Sequence, residues 1–302
     1  MRRVAALAVA GLATACVAPA EEPAAPAPPA APQLAPAPLP APAPIPTPAG
    51  PATFLYQGEL SQGGWIRGQV PAGTVTARIG EVALAFGEDG RFFAAFDRDA
   101  PPQTSLTATL ADGRRIDNPL TVAPRAWDIE HINASPTANV PSAEFTARRR
   151  PELERIAAAR QVDTGSAGWR QNFVWPATGR ISGRFGSQRV YRGEPGSYHS
   201  GIDIAGGSGT TFVAPADGVV VLAAQAPFTL EGYLLIVDHG MGLYSAFLHS
   251  SELLVREGEA VRQGQPIGRI GATGRATGPH LHWGLTWRGA RLDPLLFTGP
   301  MP

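Results

Sequence analysis

The chain has 302 residues, 44% of them hydrophobic and 17% charged, and its 25 basic residues are balanced by 25 acidic ones. That length accommodates two modest domains, and the zero net charge removes the global field by which a protein gathers a polyanion, so no nucleic-acid partner is expected. The single cysteine, Cys16, excludes an intramolecular disulfide and any multi-cysteine zinc site, while five of the six histidines fall after residue 198.

Residues 1–16 read MRRVAALAVAGLATAC. Arg2 and Arg3 precede an apolar stretch at 4–13 that is too short to span a bilayer, which is the pattern of an export signal. Small residues then lead to Cys16, and the segment resembles the lipobox of bacterial lipoproteins, with Ala13 where that motif usually has leucine. The resemblance implies lipidation of Cys16 and a membrane-anchored chain in the cell envelope. Val17 rather than aspartate after the cysteine points, by the sorting rule of enteric bacteria, to the outer membrane and a periplasm-facing protein. An ordinary secretory signal is the alternative. Residues 17–53 carry 14 of the 31 prolines. Proline lacks an N–H and disfavours helix before it, so neither helix nor sheet ladder can form there. A disordered tether of polyproline character is expected, at about 3.1 Å per residue and up to about 110 Å long when extended.

From 54 to 122, short apolar runs at 65–70, 82–86, 92–96 and 106–110 alternate with turn signals such as Gln62-Gly63-Gly64 and Glu88-Asp89-Gly90. This spacing predicts a small antiparallel β-sandwich, immunoglobulin-like, and without a histidine it reads as a spacer or docking module. Residues 123–168 read as a linker with a short helix. Ser142 is its expected cap, Pro151 starts a second turn or kinks it, and Phe145, Leu153 and Ile156 are its apolar positions. From 169 to 302 the pattern is again strand-rich, with runs at 211–214, 218–222, 234–238, 243–248 and 280–286. The fold class is therefore mainly β.

Histidines concentrate in three segments of this last region: His199-Ser200-Gly201-Ile202-Asp203, Ala246-Phe247-Leu248-His249 and His280-Leu281-His282-Trp283. On a strand His280 and His282 share a face about 7 Å apart, close enough for one to bind a metal while the other stands beside it. His199 and Asp203 would be about 13 Å apart in an extended chain, so a shared ion demands a bend near Gly201. Spacing alone leaves a zinc hydrolase and a scatter of structurally satisfied histidines both open.

Together with Gly201-Ile202-Asp203-Ile204, Ala214-Pro215-Ala216-Asp217-Gly218 and the 271–279 run GATGRATGP, these motifs resemble the lysostaphin/LytM-type zinc endopeptidases over residues 174–295. The resemblance implies an antiparallel β-fold with a narrow groove and one Zn2+ held by His199, Asp203 and His282. It further implies catalytic roles for His280 and His249, with peptidoglycan cross-links or stem peptides as substrate. Ser250 follows His249 where the family usually has leucine. His239 is expected to be structural, His131 a bystander, and Tyr244, Trp283 and Trp287 packing residues. Arg184, Arg189, Arg192 and Arg275 are candidates to line a groove for stem-peptide carboxylates. Some LytM-type lipoproteins instead activate a cell-wall amidase by protein contact, which is the alternative function. A third reading makes the sandwich a wall anchor.

Overall fold

The turn-punctuated runs of the first half fold into two antiparallel sheets in the computed structural model, which describes residues 50–135 and 142–302. Cys16, the leader and the tether as far as residue 49 lie outside the described residues. The strands are β1 (Leu55–Gly58), β2 (Trp65–Gln69), β3 (Thr74–Ile79), β4 (Val82–Ala83), β5 (Arg91–Ala95), β6 (Gln103–Leu110) and β7 (Arg115–Thr121). One sheet has the order β1-β2-β5 and the other β4-β3-β6-β7. Ile66, Phe92 and Phe93 of the first sheet and Leu106 and Ala108 of the second are buried in one cluster, as a sandwich requires.

The linker holds a strand that its sequence did not announce. β8 (Ile129–Ile132) pairs in parallel with a strand of the second half, Gln188–Tyr191. Further on, α1 (Ala143–Ala159) starts at Ser142, whose hydroxyl accepts the Phe145 N–H at 3.0 Å. Pro151 lies inside the helix without ending it. The expected apolar stripe is narrower in the structure. Ile156 and Ala159 are buried, but Leu153 is 49% exposed, because the middle of the helix is held by polar contacts instead: Arg149 pairs with Glu231, and Glu152 accepts from Thr229.

The second half contributes β9 (Ile181–Gly183), β10 (Gln188–Tyr191), β11 (Glu194–Pro195), β12 (Ile202–Ala205), β13 (Thr211–Val213), β14 (Gly218–Ala223), β15 (Tyr233–Asp238), β16 (Leu243–Ser250), β17 (Glu252–Leu253), β18 (Ala260–Val261), β19 (Pro266–Arg269), β20 (His280–Trp287) and β21 (Ala290–Leu292). Its main sheet runs β18-β14-β15-β16-β20-β12-β9, with β21 added to β20, and β13-β19-β17 form a second, smaller sheet. Phe212 of the small sheet stacks on Phe247 of the large one at 5.3 Å, joining them through apolar contact.

The sandwich and the main sheet share one hydrophobic cluster that extends from Phe54 to Phe297. Trp65 packs on Phe297 at 5.4 Å and donates its indole N–H to the Leu296 carbonyl at 2.8 Å. The Arg98 guanidinium is buried under Trp127 and Tyr198 and donates twice to the Gly186 carbonyl, at 3.0 and 3.2 Å. Buried Asp293 pairs with Arg125 at 2.8 Å. Removing either partner of such a buried contact would leave a polar group unpaired, so these directional contacts fix the orientation of the two modules as well as their contact.

Candidate metal centre

The site is built on β20, which hydrogen-bonds to β12 on one side and to β16 on the other. Asp203 and Leu248 are the cross-strand neighbours of His282, so the three side chains emerge on one face. Strand alternation brings His280 onto the same face, with its Nε2 3.6 Å from Asp203 Oδ1. His199 lies ahead of β12, and a bend at Gly201 carries it back over Asp203. A Cβ at Gly201 would stand 2.4 Å from the Trp283 carbonyl and 2.8 Å from His282 Nε2, so only glycine allows this return.

Three donor atoms converge as a result. His199 Nε2 lies 3.1 Å from Asp203 Oδ1 and 3.1 Å from His282 Nδ1, and the third edge, His282 Nδ1 to Asp203 Oδ1, is 2.9 Å. Tetrahedral zinc with ligands at 2.0–2.1 Å has donor–donor edges of about 3.3 Å, so the triangle has the size and the nitrogen/oxygen chemistry that zinc takes. One side remains open, because His199 and Asp203 are only partly buried. Gly183 on the adjacent β9 lies against the carboxylate: a Cβ there would meet Asp203 Oδ2 at 2.3 Å.

Backbone carbonyls set the imidazole tautomers. Nδ1 of His199, His249 and His280 faces the carbonyls of Arg184, Thr273 and Gly278 at 3.1, 2.9 and 2.8 Å respectively. A carbonyl only accepts, so Nδ1 donates in each case, which in the neutral ring leaves Nε2 with its lone pair; His199 Nε2 in addition faces the Asp203 carboxylate at 3.1 Å. Burial, reinforced by the neighbouring histidines, lowers the pKa of His249 and His282 and so disfavours the charged form of both rings. Burial would also lower His199, but the hydrogen bond and charge of Asp203 outweigh it and raise that pKa. For Asp203, burial acts upward and is overcome by its two histidine partners, which hold the carboxyl far below the usual carboxylate range.

His249 reaches the site through an irregularity. Regular alternation would send it to the core side with Phe247. Between the pairs Leu235↔Phe247 and Tyr233↔Ser250, however, Leu248 and His249 stand opposite Leu234 alone, a one-residue bulge. His249 takes up the extra residue in the left-handed region at φ 64°. Its ring then lies 4.9 Å from that of His280 and 6.3 Å from that of His282. Ser250 is fully buried, its carbonyl accepts from Thr273 Oγ1 at 2.8 Å, and its own hydroxyl has no partner among the described residues.

The remaining sequence candidates are placed as follows. His239 is fully buried, away from the triangle. Its Nδ1 donates to the Asp217 carbonyl at 2.7 Å, and its Nε2 contacts Ser245 Oγ at 2.8 Å. Tyr244, Trp283 and Trp287 are buried packing residues, and His131 is exposed on β8. Arg189 pairs with Glu130 at 2.8 Å as an exposed surface pair, and Arg192 reaches Ser135 Oγ at 3.2 Å. Arg184 and Arg275 are exposed, and the Arg184 contribution to the site is its carbonyl. Sequence reasoning did not anticipate the parts played by Gly183 and Thr273. The Gly-Ala-Thr-Gly run at 271–274 was the available signal for Thr273.

Residues 197–294 match the model of peptidase family M23. A lipoprotein NlpD/LppB homolog of Pseudomonas aeruginosa is 32% identical over 248 residues, covering 76% of this chain and 78% of the relative. The murein hydrolase activator NlpD of Salmonella dublin is 35% identical over 55% of this chain, which spans only 40% of that relative's length. The peptidoglycan DD-endopeptidase ShyA of Vibrio cholerae is 38% identical over 40% of this chain and 28% of its own. Among solved structures, a Pseudomonas aeruginosa protein assigned to peptidase M23 superposes with a TM-score of 0.59 at 26% identity, covering 80% of this chain and 96% of that one.

Proposed function

The chain belongs to peptidase family M23, and from that membership together with its complete donor set we propose that it is a zinc-dependent endopeptidase hydrolysing cross-links or stem peptides of bacterial peptidoglycan. The observation that carries this reading is the convergence of His199 Nε2, Asp203 Oδ1 and His282 Nδ1 within 3.1 Å of one another, beside two further imidazoles. An activator without catalysis has no use for five such groups in register.

His199, Asp203 and His282 would hold the ion, which when bound would supply Lewis-acid polarisation of the scissile carbonyl and lower the pKa of water toward about 7. His249 and His280 supply the proton chemistry. Each is fixed through Nδ1 by a backbone carbonyl, which in the neutral ring leaves Nε2 able to accept a proton from the attacking water. As the C–N bond breaks, the same Nε2 returns that proton to the leaving amine nitrogen. The carbonyls of Thr273 and Gly278 hold the two rings in this orientation throughout. No serine or cysteine nucleophile is required.

An envelope location follows from the export signal, and lipidation of Cys16 would anchor the chain to a membrane facing the periplasm, in keeping with the lipoprotein relative. A second reading, activation of a cell-wall amidase, is favoured by one observation: the NlpD-like match extends over 76% of the chain, far beyond residues 197–294.

Mass spectrometry of muropeptides separates the two. Sacculi incubated with the zinc-loaded protein lose cross-linked dimers, sacculi incubated with His280→Ala do not, and the product masses name the bond cut. Unchanged muropeptides with zinc bound would refute the endopeptidase. Faster turnover of an added amidase by both proteins would then establish the activator.

A further inference from the structure

The loop between β14 and β15 holds His249 in place, and α1 holds that loop. Glu231 accepts the His249 backbone N–H at 2.8 Å through its carbonyl. The Leu230 carbonyl accepts from Arg275 N–H at 2.9 Å, and Gly232 lies so close to Thr273 that a Cβ would stand 2.2 Å from its hydroxyl. Thr273 in turn bonds the His249 ring. Residues 228–232 thus touch both supports of the imidazole, its backbone and its Nδ1 partner. Within the loop, Phe228 and Gly232 exchange backbone hydrogen bonds at 2.8 and 3.0 Å, so it moves as one piece.

From the other side α1 grips the same loop. Arg149 forms a bidentate pair with Glu231, at 2.6 and 2.7 Å, and also contacts Glu152 at 3.0 Å. Glu152 accepts both the N–H and the hydroxyl of Thr229 at 2.7 Å. The three charged side chains are only 14–16% exposed. A planar guanidinium forked onto a carboxylate in such surroundings fixes direction as well as distance. An apolar contact would let the helix slide; this one does not.

We propose that Arg149 and Glu231 are positioning residues for His249, through which the linker helix holds the 228–232 loop and, by way of Glu231, Gly232 and Thr273, keeps the His249 imidazole over the metal centre. His249 needs such support because its left-handed backbone is unfavourable for a residue with a side chain. The kinetic part of this inference rests on the endopeptidase reading; the structural part does not.

The test compares the zinc-loaded full-length protein with Arg149→Met, Arg149→Lys, Glu231→Gln and the solvent-side control Arg150→Ala. Two quantities are followed: kcat and KM on a cross-linked muropeptide, and hydrogen exchange of the peptide 245–251 by mass spectrometry. Arg149→Met and Glu231→Gln are expected to lower kcat roughly 10- to 100-fold, the scale of a small misplacement of a catalytic group. KM and zinc content stay within twofold, and the 245–251 peptide exchanges faster. Arg149→Lys recovers part of kcat, and Arg150→Ala changes nothing. Having both Arg149→Met and Glu231→Gln keeps the test decisive if one fails to fold. Unchanged exchange, unchanged kcat with faster exchange, or loss of zinc from either variant overturns the inference. A wild-type protein inactive on every muropeptide would refute the endopeptidase, and the exchange comparison would still decide whether α1 holds His249.

Discussion

His239 and His249 sit at the two ends of the β15–β16 hairpin, and each faces a backbone carbonyl through Nδ1, Asp217 at 2.7 Å and Thr273 at 2.9 Å. They differ at Nε2. Ser245 Oγ closes that nitrogen of His239 at 2.8 Å, and the same hydroxyl accepts from the Trp283 indole at 3.2 Å, so the network is complete and fully buried. Nε2 of His249 has no hydrogen-bond partner among the described residues, and its ring lies tilted beside that of His280 at 4.9 Å. A histidine satisfied at both nitrogens is part of the core. One fixed at a single nitrogen and open at the other is equipped for proton transfer or metal binding.

If the open cluster is a metal centre, its supports must matter to metal affinity. Gly183→Ala puts a methyl group against Asp203 Oδ2. It is expected to weaken zinc binding by about 10- to 100-fold, the usual cost of disturbing the surroundings of a ligand. Competition with a chelator of known affinity measures it, and unchanged affinity would mean the carboxylate is free to move.

A closed cluster should reveal itself in stability instead. Burial pushes the His239 pKa down to about 4. Below pH 6.5 the unfolded chain binds a proton there that the folded one refuses, so this contribution is complete above pH 6.5 and is lost as pH falls toward 4. The loss reaches about 3 kcal/mol at most. The melting temperature should fall more steeply between pH 7.5 and 5 in the wild type than in His239→Asn, which cannot titrate. Equal slopes would show that His239 is protonated in the fold.

The two clusters were not equally legible. Period-two alternation placed His280 and His282 on one face, and the buried positions of β14 and β15 announced themselves as near-continuous apolar runs. The His199–Asp203 contact depended on a bend that glycine permits but does not dictate. His249 was legible only through family resemblance, because its bulge is set by pairing with β15, a tertiary event. The missed strands have a similar cause. β1 is exposed along its whole length, and β7 is an edge strand that tolerates Pro119. β8 exists only because β10 lies beside it.

Zinc content across single variants tests the division of roles most directly. Elemental analysis of the purified protein should give one zinc per chain in the wild type, in His249→Ala and in His280→Ala, and none in His199→Ala or His282→Ala. Loss of zinc from His280→Ala, or a metal-free wild type after loading, would contradict the assignment of His199, Asp203 and His282 as the ligands and of His249 and His280 as the proton-transfer pair.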